Sequence, residues 1–151
     1  MRMVSGNLWD YLEQCPVVIT TGGQLNRRGH CSMPRGCAAQ ARQRFPHLPA
    51  QLGALIRQHG NHVFVLDHQI IAFPIENGPM EPPDLGILKR STRELVELTD
   101  RHQWPQVVLP RPGCGSGGLE WPVVRSILER SLDSRFLIVD SQNPADTGET
   151  P

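Results

Sequence analysis

The chain has 151 residues, a formal net charge of zero and a mean hydropathy of −0.33. That length suits one domain with a single core, because two cores of this combined size would each be marginal. Neutrality excludes a global basic field that gathers nucleic acid or anionic lipid over distance, and no apolar run reaches the length of a membrane span.

The first residues lack the charged-then-apolar pattern of a secretory signal, so a cytoplasmic location is the expectation. Cys15, Cys31, Cys37 and Cys114 form no C-x-x-C pair, which argues against a zinc knuckle or a dithiol redox site. His30 beside Cys31 supplies at most half a metal site, and neither a metal nor a cofactor is expected. Lys89 is the only lysine, which narrows any lysine-dependent chemistry to one residue.

In chain order, a buried strand is predicted over 17–21, where Val17, Val18 and Ile19 run together. Helices follow over 36–44, with Cys37, Ala38 and Ala41 on one face, and over 49–58, with Leu52, Leu55 and Ile56 on one face; Pro46 and Pro49 separate them. Strands are predicted over 62–66 and 70–75. The next helix spans 84–102, with Asp84 as N-cap. Its inward stripe is Leu85, Leu88, Thr92, Leu95, Val96 and Thr99, and Lys89, Arg90, Arg93, Glu94 and Glu97 face away. A strand over 106–110, a helix from about 120 to 132 with Val124, Ile127 and Leu128 inward, and a strand over 135–139 complete the domain, 1–140. Residues 141–151 are polar and carry Pro and Gly, the composition of a disordered tail.

Strands alternating with helices form a largely parallel sheet covered on both faces, and ligands of such sheets lie beyond the carboxyl ends of the strands. Two glycine-bearing loops fall there. The first, over 20–38, has glycines at 22, 23, 29 and 36 and runs into a helix start with unpaired amides. The second, Leu109-Pro-Arg-Pro-Gly-Cys-Gly-Ser-Gly-Gly-Leu119, has four glycines within six residues, a run of amides able to wrap an anion. Phosphate binding is the reading both loops share. Neither is a G-x-x-x-x-G-K-[ST] loop and no G-x-G-x-x-G opens a first βαβ unit, which disfavours kinase and dehydrogenase chemistry.

In order, Gly6-Asn7-Leu8-Trp9, Met33-Pro34-Arg35-Gly36-Cys37-Ala38 and Pro110-Arg-Pro-Gly-Cys-Gly-Ser-Gly-Gly-Leu-Glu-Trp121 resemble the motifs of the macro domain family. The Pro-Arg-x-Gly-Cys-Gly run is most similar to the branch containing terminal ADP-ribose protein glycohydrolase and the macro module of a chromatin remodeller. The resemblance implies a three-layer α/β/α sandwich on a mixed, mostly parallel six-stranded sheet, with ADP-ribose in a surface cleft.

Carried onto this chain, the resemblance implies that Asn7 and Leu8 meet the adenine, with Asn7 in place of the usual aspartate. Thr21, Gly22, Gly23 and Asn26 would lie toward the ribose. Arg35, Gly36 and Cys37 would meet a phosphate, and Gly113, Cys114, Gly115, Ser116, Gly117, Gly118 and Leu119 would close the other side. Pro34 stands where glycine is common and removes one amide donor.

The lysine and aspartate of the similar glycohydrolase align with Glu76 and Gly117, so that enzyme's pair is absent, and Lys89 lies on the outward helix face. Binding of ADP-ribose, free or attached to protein or nucleic acid, by a monomer is the function implied. The alternative is an ADP-ribosyl hydrolase or an ADP-ribose 1''-phosphate phosphatase. Glu76 would be its base, with Asn26, His30 and Glu120 as further groups able to hold a proton or orient water.

Overall fold

The computed structural model describes residues 1–78, 81–115 and 117–140. Six strands are present: β1 (Arg2–Ser5), β2 (Val17–Thr21), β3 (Phe64–Val65), β4 (Ile70–Pro74), β5 (Val107–Leu109) and β6 (Phe136–Asp140). Four helices accompany them: α1 (Gly36–Arg44), α2 (Leu48–His59), α3 (Leu85–His102) and α4 (Trp121–Glu129). The strands form one sheet in the order β1-β6-β5-β2-β4-β3. Every pairing is parallel except β3 with β4.

The pleat explains why the strands read as unbroken apolar runs. Val17 and Ile19 of β2 and Ile70 and Ala72 of β4 point to one face, where Ala38, Ala41, Leu48 and Leu52 of α1 and α2 cover them. Val18, Ile71, Phe73, Phe136 and Ile138 point to the other, beneath Leu88 and Leu95 of α3 and Val124 and Leu128 of α4. A strand buried on both faces needs apolar residues at every position. The outcome is the three-layer sandwich expected. Each fully buried Leu or Ile contributes roughly 1.5–3 kcal/mol.

α1 buries only small residues, Cys37, Ala38 and Ala41, which lets its axis lie close against β2. α2 meets the first glycine loop through Gly53, where a Cβ would stand 1.9 Å from the Gly29 carbonyl oxygen. α3 begins as its sequence indicates, with the Asp84 carboxylate accepting from the Gly86 and Ile87 amides at 2.7 and 3.1 Å.

Three details depart from the sequence reading. β1 is an additional strand: a four-residue edge strand opening on a charged residue gives too short an apolar run to announce itself, and its pairing with β6 is what orders it. Leu85 is exposed, not inward, because it lies at the first turn, beyond the cover of the sheet, whereas Ser91 is fully buried with its hydroxyl donating to the Pro74 carbonyl at 2.6 Å. Short 3-10 turns also stand at Leu8–Tyr11 and Asp67–Gln69, for which no helix was expected. Residues 141–151 and Ser116 lie outside the described residues.

Candidate functional site

A cleft of about 480 Å³ opens along the carboxyl ends of the strands, within the roughly 300–1,000 Å³ of small-molecule sites. It follows the sheet from β6 (Val139, Asp140) past the ends of β5 (Pro110, Arg111) and β2 (Thr20, Thr21, Gly22) to the end of β4 (Ile75, Glu76). Arg35, Gly36, Cys37 and Ala38 enter from the start of α1, and Gly113, Cys114, Gly115, Gly117 and Leu119 enter from the second glycine loop. Leu8, Gln24, Ser32, Pro34, Glu120 and Trp121 complete the lining.

The two glycine loops reach this cleft in different ways. The first satisfies its own backbone. The Asn26 carboxamide oxygen accepts from the Arg28 and His30 amides at 2.9 and 3.0 Å, and the amides of Gly23, Asn26, Gly29, Cys31 and Ser32 all donate to backbone carbonyls. Gly23 is glycine because a Cβ there would meet the Asn61 side chain at 2.8 Å, and Gly29 because its φ is +77°. Besides Gly22, Gln24 and Ser32, this loop presents its end to the cleft. Arg35 is extended, Gly36 turns at φ +64°, and α1 starts with no side-chain cap among the described residues. Gly36, Cys37 and Ala38 of this first turn line the cleft, so the positive end of the helix dipole lies beside it, an arrangement that favours an anion by about 0.3–2 kcal/mol.

In the second loop only some of the amides are used within the chain. Cys114 donates to Arg111, Gly118 to Gly115 and Leu119 to Gly113. Among the described residues no backbone carbonyl accepts from Gly113, Gly115 or Gly117, and these are the three glycines that line the cleft. Positive φ is needed at Gly113 (+74°) and Gly118 (+78°). Gly117 is constrained differently, since a Cβ there would stand 2.6 Å from the Gly113 oxygen.

Charge in the cleft is balanced locally. Arg111 pairs with Asp140 at 3.1 Å and lies over the Trp121 ring, 4.6 Å from its centroid, and its buried Nε has no hydrogen-bond partner among the described residues. At the opposite end, Glu76 packs against the Gly22 backbone. Burial holds its carboxyl above the ordinary range; Arg35 opposes that and Glu81 adds to it. Cys37, fixed by Thr20 through the Thr20 amide and hydroxyl at 3.4 Å, is a packing residue whose thiol is pushed up by burial. Burial likewise pushes the Cys114 thiol up to about 11, against the pull of Arg111 and with help from Glu120. Neither thiol has the lowered pKa of a nucleophile.

Of the residues expected from sequence, Leu8, Thr21, Gly22, Arg35, Gly36, Cys37, Glu76, Gly113, Cys114, Gly115, Gly117 and Leu119 all line the cleft. Asn7, Gly23, Asn26 and Gly118 are not among its lining residues. Asn7 caps the first 3-10 turn, accepting from the Trp9 amide at 2.9 Å, and Asn26 shapes its own loop. His30 lies in a separate shallow hollow with Arg28 and Arg57. Trp9 is buried, donating from Nε1 to Gln40 at 2.7 Å.

The sequence reading passed over Thr20, Gln24, Ser32, Ile75, Val139 and Asp140. The rule that ligands sit beyond the carboxyl ends of parallel strands points to the last residues of strands 70–75 and 135–139, and applying it strand by strand would have found Ile75 and Val139. No group of three or more candidate metal ligands occurs among the described residues, and no helix there is long and apolar enough to cross a membrane.

No protein-family model matches the sequence, and no curated protein matches it. Solved structures do. The macrodomain of Thermus aquaticus DarG is 24% identical with a TM-score of 0.71, covering 91% of this chain and 95% of that one. The macrodomain of Mycobacterium tuberculosis DarG is 22% identical with a TM-score of 0.70 over the same shares. Thermosipho africanus DarTG in complex with ADP-ribose is 19% identical with a TM-score of 0.71, covering 91% of this chain and 40% of that longer one. This chain thus adopts the macrodomain fold.

Proposed function

We propose that this chain binds ADP-ribose, free or as the ADP-ribosyl group of a macromolecule, in the cleft along its strand ends. One observation carries the reading. The start of α1, which has no side-chain cap among the described residues, and the amides of Gly113, Gly115 and Gly117, which have no backbone acceptor among them, line a single cleft, so a diphosphate placed between them receives donors from both sides. Thermosipho africanus DarTG, 40% of whose chain this fold matches, has been solved in complex with ADP-ribose, which supports the choice of ligand.

The cleft's length supports it as well. Its lining spans four adjacent strands, β6 to β4, and three strand spacings come to about 14 Å. That length accommodates a group on each side of a central diphosphate. Calorimetric titration with ADP-ribose, ADP and AMP tests the proposal. ADP-ribose is expected to bind in the micromolar range, ADP more weakly and AMP weakest. Absence of heat and of thermal shift with ADP-ribose would overturn it.

A further inference from the structure

The two ends of the cleft differ in chemistry. With a diphosphate held between the β5 loop and the start of α1, which follows β2, its two substituents must extend toward β6 and toward β4. The β6 end offers Leu8, Val139 and the Trp121 ring under Arg111, surfaces suited to a planar base. The β4 end offers Gln24, Ser32 and Glu76, with Gln24 reaching toward Gly78 and Glu76 seated against Gly22. That polar end suits a polyol.

We infer that Glu76 is the specificity residue of the sugar end: its carboxylate accepts hydrogen bonds from ribose hydroxyls and repels any ligand carrying a further phosphate there, such as ADP-ribose 1''-phosphate. This rests on the ADP-ribose reading above and refines it. Arg35 and Glu81 both act on Glu76 here, the guanidinium attracting it and the second carboxylate, outside the cleft lining, opposing it. Two carboxylates against one guanidinium leave it net negative. Arg35 also belongs to the start of α1 beside the central diphosphate, so its charge is shared with a group already doubly negative. A hydroxyl donates to a carboxylate; a phosphate dianion only opposes it, and partial burial of Glu76 weakens solvent screening of that repulsion.

The position matters for a second reason. Glu76 is the second residue beyond β4, and its backbone is pinned. Its carbonyl accepts from Asn61 Nδ2 at 3.0 Å, and the preceding amide, of Ile75, donates to the Thr21 carbonyl at 3.0 Å. Asn61 is held in turn by Arg90, which donates to its carbonyl. The carboxylate is therefore carried on fixed backbone at the rim of the cleft.

The test is a calorimetric comparison at pH 8 of ADP-ribose, ADP-ribose 1''-phosphate and ADP on the wild type, Glu76→Gln and Glu76→Ala. The wild type is expected to bind the 1''-phosphate at least about tenfold more weakly than ADP-ribose. In Glu76→Gln the ratio is expected to fall to within about threefold, chiefly through tighter binding of the 1''-phosphate; Glu76→Ala should lower the ratio too. Equal affinity of the wild type for both ligands, or a ratio unchanged in both variants, overturns the inference while leaving ADP-ribose binding intact. Loss of ADP-ribose binding by the wild type overturns the proposed function itself. ADP, which has no group beyond the diphosphate, shows whether a variant's cleft is still formed.

Discussion

The two glycine-bearing loops look alike in sequence, each leading from a buried strand into a helix, yet they do opposite things with their backbones. The first spends its amides on itself and on its neighbours, through Asn26, Gln24, Pro49 and Asn77, and brings side chains and the start of α1 to the cleft. The second leaves the amides of Gly113, Gly115 and Gly117 without a backbone acceptor among the described residues. Glycine content by itself marks a place where backbone comes close to something. Whether that is another part of the chain, as at Gly23 and Gly53, or open space for a ligand, depends on what the hydrogen bonds consume.

That contrast can be broken from either side. The largest effect is expected from Gly117→Val. Its Cβ would overlap the Gly113 carbonyl oxygen, so the second loop must rearrange. ADP-ribose affinity should fall by about a hundredfold or more, the loss of two charge-assisted hydrogen bonds. Affinity within threefold of wild type by calorimetry would show that the first loop's helix start suffices alone.

Arg35→Asp comes next, and supplies α1 with the kind of cap that Asp84 gives α3. The new carboxylate should occupy the amides otherwise open to a phosphate and remove a positive charge from the cleft. Thermal stability should hold or rise, by up to about 1 kcal/mol, while ADP-ribose affinity drops more than about tenfold. A fall in both together would mean that Arg35 serves the fold first.

Asn26→Ala attacks the first loop where it is self-satisfied. Two amides lose their acceptor, and because the site is exposed the cost should be about 1 kcal/mol, a drop of a few degrees in Tm. Affinity should change less than about threefold, since Asn26 does not line the cleft. A tenfold loss of affinity with unchanged Tm would reverse the assignment and make Asn26 a ligand-binding residue.

The smallest effect concerns Glu76. Burial raises its carboxyl pKa despite Arg35, so ionising it costs more in the folded chain than in the unfolded one. The native state therefore loses stability, relative to a neutral isostere, as pH rises through the folded pKa. Glu76→Gln should match the wild type in Tm near pH 3 and exceed it by about a degree at pH 8. A lower Tm at pH 8 would mean that attraction to Arg35 outweighs burial.

Much of the fold was legible in the chain because its signals are local. Strand 17–21 and helix 36–44 match β2 and α1 residue for residue, since unbroken β-branched runs and three-and-four spacing are set by covalent geometry. The Asp84 cap was legible for the same reason, its partners being two and three residues away. β1 was not, because an edge strand of four residues exists only through its pairing with β6, more than a hundred residues on.

The candidate site divides along the same line. From sequence alone came the two loops, the helix start at Arg35–Cys37 and the absence of a lysine at position 76, all of them properties of residue type and order. The tertiary structure decided which of those groups meet. It placed Glu76 at one end of the cleft and Arg111 with Asp140 and Trp121 at the other, and it left Asn26 and Gly23 out of the lining, Asn26 bonded within its loop and Gly23 against Asn61 and Asn77. A hydrogen bond satisfied within the chain is unavailable to a ligand. That accounting needs the positions of all the partners, which lie far apart in sequence and come together only when the sheet forms.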